Sequence, residues 1–149
     1  MGQWLRAALL DQRELRDWLR LTLNGGEPKG WNRDECFVVG FVCEIAARKR
    51  FQAGPDIREV TAFVTDMRSR IHSVTPPDQH VCEAIIRDAF RDPDVDYTNV
   101  SREEMFLAQG LITSLAVRNL GLGEVAIDEI IVESERLAFE AGWHPPLAR

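Results

Sequence analysis

Three groups of residues have the types and spacing to do chemistry. The first is a run of cations, Arg48, Lys49 and Arg50, with Arg58 close behind. Guanidinium and ammonium groups at this density could hold phosphates or another anionic partner. At the C-terminal end of a helix, however, such residues have an ordinary role. They offset the negative end of the helix dipole and cap free carbonyls, for roughly 0.3–1 kcal/mol. The ordinary role is the expectation here, and Arg48, Lys49, Arg50 and Arg58 are the candidate anion- or partner-binding residues.

The second group lies in DPDVDYTNVSRE, Asp92 to Glu103. Asp92, Asp94, Asp96 and Thr98 fall at positions 1, 3, 5 and 7 of an EF-hand calcium loop, and Glu103 falls at position 12. Oxygen ligands at that spacing suit calcium. Against it, Tyr97 occupies position 6, where the tight turn requires glycine, and a Tyr at positive φ would be strained. The aliphatic position 8 is Asn99, and no partner loop exists elsewhere. An acidic connecting loop ahead of a helix capped by Ser101 is the stronger expectation.

The third group is the nucleophiles and metal ligands. Cys36, Cys43 and Cys82 are an odd number with no CxxC pair, and on one helix Cys36 and Cys43 would stand roughly 10 Å apart, too far for a disulfide. They read as small, buried, reduced thiols. His72, His80 and His144 lie in no HExxH or ExxH pattern. A zinc site at His80 and Cys82 would need Cys43 or His72 to converge on it. No GxSxG elbow or phosphate loop occurs, and GLGE at Gly121 to Glu124 reads as a cap and turn. The sequence therefore points to no catalytic residue, no metal and no cofactor. Glu44 is the most notable single acid, because it ends the apolar run CFVVGFVC. It is expected at the rim of its helix, or, if buried, paired with an arginine.

The elements that would position these residues are helical. A first helix is predicted over Gln3 to Leu23, with Leu5, Ala8, Leu15, Leu19 and Leu23 on one face, stopped by Asn24, Gly25 and Gly26. The second runs from Asn32, its cap, to Phe51, with Trp31 and Glu35 completing the start. The third carries Ile57, Val60, Val64, Met67 and Ile71 at steps of three and four, opposite Arg58, Glu59, Arg68 and Arg70. The fourth is predicted to begin at Thr75 with Pro76 in the first turn, and to bury Val81, Cys82, Ile85, Ile86, Ala89 and Phe90. The fifth starts at Ser101, where Glu104 would complete a capping box, and ends at Gly121. The sixth is predicted to face Val125, Ile127, Ile130, Ile131, Leu137 and Ala138 inward and to close at Gly142. It would present Glu124, Asp128, Glu129, Glu133, Glu135 and Glu140 to solvent around one counter-charge, Arg136. The tail from about residue 143 to 149, WHPPLAR, cannot continue a helix and should lie extended.

This pattern predicts an all-α fold of about six helices over a single domain, residues 1–149. The second and fifth helices are apolar on every side and should be central. Gly40 and Gly110, each costing roughly 1 kcal/mol against alanine inside a helix, would mark a close helix crossing. Four outer helices are expected to leave two central ones incompletely covered, which favours a homodimer.

Length and composition agree with one ordinary core. The chain has 149 residues, 45% hydrophobic and 28% charged. The longest apolar run is far short of the roughly 20 residues that span a bilayer, and the N-terminus lacks a signal-peptide pattern, so a cytoplasmic, membrane-free protein is expected. Eighteen cations against 24 acids give a net charge of −6, and residues 1–60 hold 10 cations and 9 acids against 8 and 15 in the remainder. That balance disfavours nonspecific nucleic-acid binding, though a local basic patch remains open. A helix-turn-helix reading of the second and third helices would offer Arg58, Thr61, Thr65 and Arg68 to DNA, but the connection QAGPD is longer than the usual turn. Nor do Ala46 and Ala47 stand at the spacing from Gly54 expected of that motif. The expectation is a non-catalytic protein–protein interaction or regulatory module. The competing readings are a DNA-binding regulator using the basic rim, a calcium-binding switch, and a small-molecule pocket between the second and fifth helices.

Overall fold

In the computed structural model, residues 5–6, 9–10, 33–52, 54–72 and 75–144 are described, 33–36 through their backbone alone. They form five helices and no strand: α1 (Arg33–Phe51), α2 (Ile57–Ser69), α3 (Gln79–Asp88), α4 (Arg102–Leu120) and α5 (Glu124–Glu140). The expected six is therefore five among the described residues. Leu5, Arg6, Leu9 and Leu10 are also helical, while the rest of the first predicted helix and its Asn24–Gly26 stop lie outside the described residues. So do Trp31 and Asn32, the predicted start of α1, and residues 145–149 of the predicted tail.

α1 and α4 share the most extensive helix contact; α5 lies along α1, and α2 with α3 covers the other side of α4. α4 has no polar face because it has no solvent face over most of its length. From Glu104 to Val117 none of its residues is exposed. At the α1–α4 crossing, a Cβ on Gly40 would stand 3.4 Å from the Gln109 amide, and Gly110 is buried on α4 next to Gln109. A methyl at 40 would meet only the flexible end of that side chain at ordinary contact distance, so the crossing does not demand glycine there.

Two apolar clusters result. One joins Cys43, Ala46 and Phe51 of α1 to Val60, Phe63, Val64 and Met67 of α2, Cys82, Ile85 and Ile86 of α3, and Ile112 and Leu115 of α4. The other joins Leu5, Val38, Val39 and Val42 to Ile127, Ile130, Ile131 and Ala138 of α5. Full burial of each such aliphatic side chain is worth about 1.5–3 kcal/mol.

Local chemistry sets the helix ends. Asp56 caps α2 by accepting from the Arg58 N–H at 2.8 Å. Ser101 Oγ accepts from the Glu104 N–H at 3.1 Å, and Gly121 ends α4 at φ 61°, a left-handed conformation that costs glycine nothing.

Four expectations need correction. α3 starts at Gln79 behind an Asp78 cap, which accepts from the His80 N–H at 2.8 Å, and Thr75 and Pro76 lie outside it. The reason is Pro77: a proline pushes the preceding residue out of the helical region, so Pro76 cannot open a helix. Ile57 is 57% exposed, and Phe63 takes its place on the buried face of α2. The capping box at α4 is half formed, since the Glu104 carboxylate accepts from the Asp78 N–H at 2.9 Å and ties the start of α4 to the start of α3. Most consequentially, Val125 is 74% exposed and does not face inward.

Candidate functional site

The predicted basic rim is divided by its partners. Arg48 bonds Glu44 at 2.9 Å and donates from Nε to the Ala89 carbonyl at 2.6 Å. Arg91, at the turn after α3, bonds the same Glu44 oxygen at 3.0 Å. Glu44 is partly buried and clasps α1 to the end of α3 through two guanidinium groups. Arg50 is held by Glu59 at 2.7 Å and lies over the Phe51 and Phe63 rings, 5.0 and 5.8 Å from their centroids. Lys49 and Arg58 are exposed, and no side-chain partner holds either among the described residues. Two of the four candidates are thus engaged within the chain and two project into solvent.

The Asp92–Glu103 loop is organised around Tyr97. The ring packs against the α1–α4 cluster and the hydroxyl donates to the Ala84 carbonyl at 3.2 Å. Burial, with Asp88 nearby, pushes the phenol above its ordinary range. Tyr97 is not among the residues with positive φ, so the turn an EF-hand needs at this position is not formed. Asp92 accepts from the Asp94 N–H at 3.0 Å and from Arg87 at 2.8 Å, and these bonds hold its carboxyl below the ordinary value. Asp96 is lowered likewise by the Thr98 hydroxyl and N–H. These are closures of local turns. No group of three or more His, Cys, Asp or Glu among the described residues is arranged to hold a metal ion.

Cys43 and Cys82 are free thiols buried in the first cluster. Burial pushes each up to about 12, with the Thr113 side chain opposing at Cys43 and Arg68 opposing at Cys82. Both are protonated at neutral pH and shielded, the opposite of an activated nucleophile. The side chain of Cys36 lies outside the described residues.

α5 differs most from its sequence reading. The acids predicted as a solvated face are largely paired. Arg6 bonds Glu124 at 2.8 Å and Asp128 at 2.7 Å, and Arg136 bonds Glu133 at 2.6 Å and also Glu140. Arg136 holds the Glu133 carboxyl below its ordinary value. Glu135 is only 6% exposed and turns inward. Of the six acids, Glu129 alone is exposed without an ion-pair partner among the described residues.

Between these charges runs an apolar stripe. Val125, Val132 and Phe139 are 74%, 63% and 39% exposed at a spacing of seven, so they fall in one line along the outer face of the helix. At its C-terminal end Phe139 lies 5.4 Å from the His144 ring, and Trp143, instead of extending into solvent, stacks on Phe37 at 3.7 Å. Sequence reasoning missed the stripe because it grouped Val125 with Ile127. Two residues on a helix are about 200° apart, and Ile127, Ile130, Ile131 and Ala138 already define the buried side.

No helix among the described residues is long and apolar enough to cross a membrane. No protein-family model, curated protein or solved structure matches the chain.

Proposed function

We propose that the chain is a non-catalytic protein–protein interaction module that docks through the outer face of α5. The observation that carries this reading is the stripe Val125, Val132 and Phe139, an exposed apolar line set among charges on a helix whose opposite side is buried. Apolar side chains lined up on a polar surface are the usual mark of a contact surface. A binding role also suits where the reactive groups are spent: the described thiols are buried and protonated, and Glu44 and Asp92 are tied to arginines. A DNA-binding role through Arg48, Lys49, Arg50 and Arg58 is less favoured, because Arg48 and Arg50 are already engaged by Glu44 and Glu59.

The test is capture by the tagged chain from its native lysate after nuclease treatment, beside a Val125→Glu/Val132→Glu variant of unchanged far-UV circular dichroism. A defined protein, of its own kind or another, should be retained by the wild type and lost by the variant. Equal retention by both would remove α5 as the docking face. Loss of all bound material on nuclease treatment would move the function to Lys49 and Arg58.

A further inference from the structure

We propose that the partner of the α5 face is a second copy of the chain, with the two α5 helices antiparallel about a two-fold axis through Val132. This rests on the α5 docking reading and deepens it. Val125 and Phe139 lie seven residues on either side of Val132, about 10 Å each way along the helix. In the antiparallel register Val132 meets its own copy, and at both ends a valine at 125 meets a phenylalanine at 139. The smaller, more exposed side chain thus opposes the larger one twice.

Charge selects this direction. Glu129 and Arg136 lie on the same flank of the stripe, three residues before and four residues after Val132. A two-fold axis across the helices keeps that flank on one side and reverses the chain. Glu129 of each copy then stands beside Arg136 of the other, forming two identical ion pairs. Arg136 already holds Glu133 and Glu140, and its five N–H donors can bridge a further carboxylate. Glu129 gains an ion-pair partner, which it lacks among the described residues. On the other flank Asp128 would approach Glu135 of the second copy, but Arg6 sits on Asp128 at 2.7 Å and Glu135 is turned inward. A parallel two-fold pair would instead bring opposite flanks together and set Glu129 beside Asp128 of the second copy, and opposed like charges disfavour association. Three apolar residues per copy make a small interface, so the dimer should be weak and concentration-dependent.

Sedimentation equilibrium of the full chain tests this. Wild type should pass from monomer to dimer within the micromolar range, and Val132→Glu should raise the dissociation constant at least tenfold with unchanged circular dichroism. Glu129→Arg and Arg136→Glu should each dimerise poorly alone, while their equimolar mixture, in which every 129–136 contact is again of opposite charge, should recover the wild-type affinity. If Arg136→Glu does not fold, Glu129→Gln decides the direction: it weakens an antiparallel pair and strengthens a parallel one. A wild type that stays monomeric to about 100 µM would overturn the inference, being well above a micromolar constant. In that case, loss of a different captured protein on stripe mutation would leave the docking reading standing. A dimer indifferent to Val132→Glu would overturn the inference as well, by placing the dimer contact elsewhere.

Discussion

Ile130 and Val132 are neighbours but one on α5, and the structure assigns them opposite fates, 1% and 63% exposed. Replacing each by alanine measures the phase of the helix. Ile130→Ala removes side-chain carbons from the α1–α5 cluster and leaves a cavity, at a cost of about 2–5 kcal/mol. Val132→Ala removes two carbons at about 0.8 kcal/mol each if fully buried. With roughly a third of that burial realised in the protomer, the loss is about 0.5 kcal/mol, and alanine's better helix propensity returns several tenths. The net should be near zero. Urea denaturation followed by circular dichroism, with equal slopes for all variants, reads both numbers, and Ile130→Ala should lower the melting temperature by roughly 10 °C. Concentration adds a second reading. At about 1 µM protein Val132→Ala should be silent, whereas at about 100 µM it should lose the stabilisation that dimerisation gives the wild type. Equal costs for the two substitutions at low concentration would refute the orientation of α5, and with it the docking face.

Tyr97→Phe should cost about 1 kcal/mol by removing the bond to the Ala84 carbonyl, read by urea denaturation. Calcium at millimolar concentration should leave the melting temperature unchanged in both wild type and Asp94→Ala; a rise in wild type that disappears in the variant would mean that the loop binds the ion after all. In acid, Asp92, Asp96 and Glu133 have folded-state values below their ordinary 3.8, 3.8 and 4.5. Their contribution is complete above those ordinary values and is lost as pH falls through the folded ones, so stability should decline below about pH 4, less steeply in Asp92→Asn. Stability rising on acidification over that range would contradict the pairing. In alkali the sign reverses for Cys43 and Cys82, raised from 9.0 to about 12. The folded state keeps protons that the unfolded chain loses, so stability should fall between pH 9 and 12 by about 1.4 kcal/mol per pH unit per thiol. Iodoacetamide should label both thiols at pH 9 only as fast as the chain unfolds.

What was legible in the sequence was whatever a few adjacent residues decide. Ser101 and Gly121 bracket α4 because a cap and a left-handed turn are local events; the Asp56 cap of α2 is equally local, but the sequence reading did not name it. α3 shows that local rules must be applied together: Pro76 favours a helix start, but Pro77 forbids it one residue later. Partners distant in sequence were not legible. Glu104 satisfies the rule for a capping box, yet its carboxylate goes to Asp78, and Arg6 reaches Glu124 and Asp128 across the whole chain. Tyr97 was read as an obstacle to a calcium turn and is the anchor of the loop, because the cluster that receives its ring is built by other helices. Glu44 was expected either at a rim or beside an arginine, and it is partly buried between two.

The stripe on α5 is hard to explain within one protomer. Valine forms helix less well than alanine, glutamate or lysine by several tenths of a kcal/mol, and an exposed valine recovers little of this by burial. Val125 and Val132 therefore weaken α5 where they stand, and Phe139 adds exposed aromatic surface with no full enclosure. Other residues of the same helix serve the chain's own fold: Ile127, Ile130 and Ile131 fill the cluster, Ser134 satisfies its hydroxyl on the Ile130 carbonyl, and Glu133 and Glu140 hold Arg136. Local choices that run against an otherwise consistent element are expected at functional surfaces. Here the exceptions share a spacing, a face and a flank of complementary charge. Under the proposed docking, the compensation for them comes from a second copy, and a helix that presents valine, glutamate, valine, arginine and phenylalanine in that order along one side is complementary to itself when reversed.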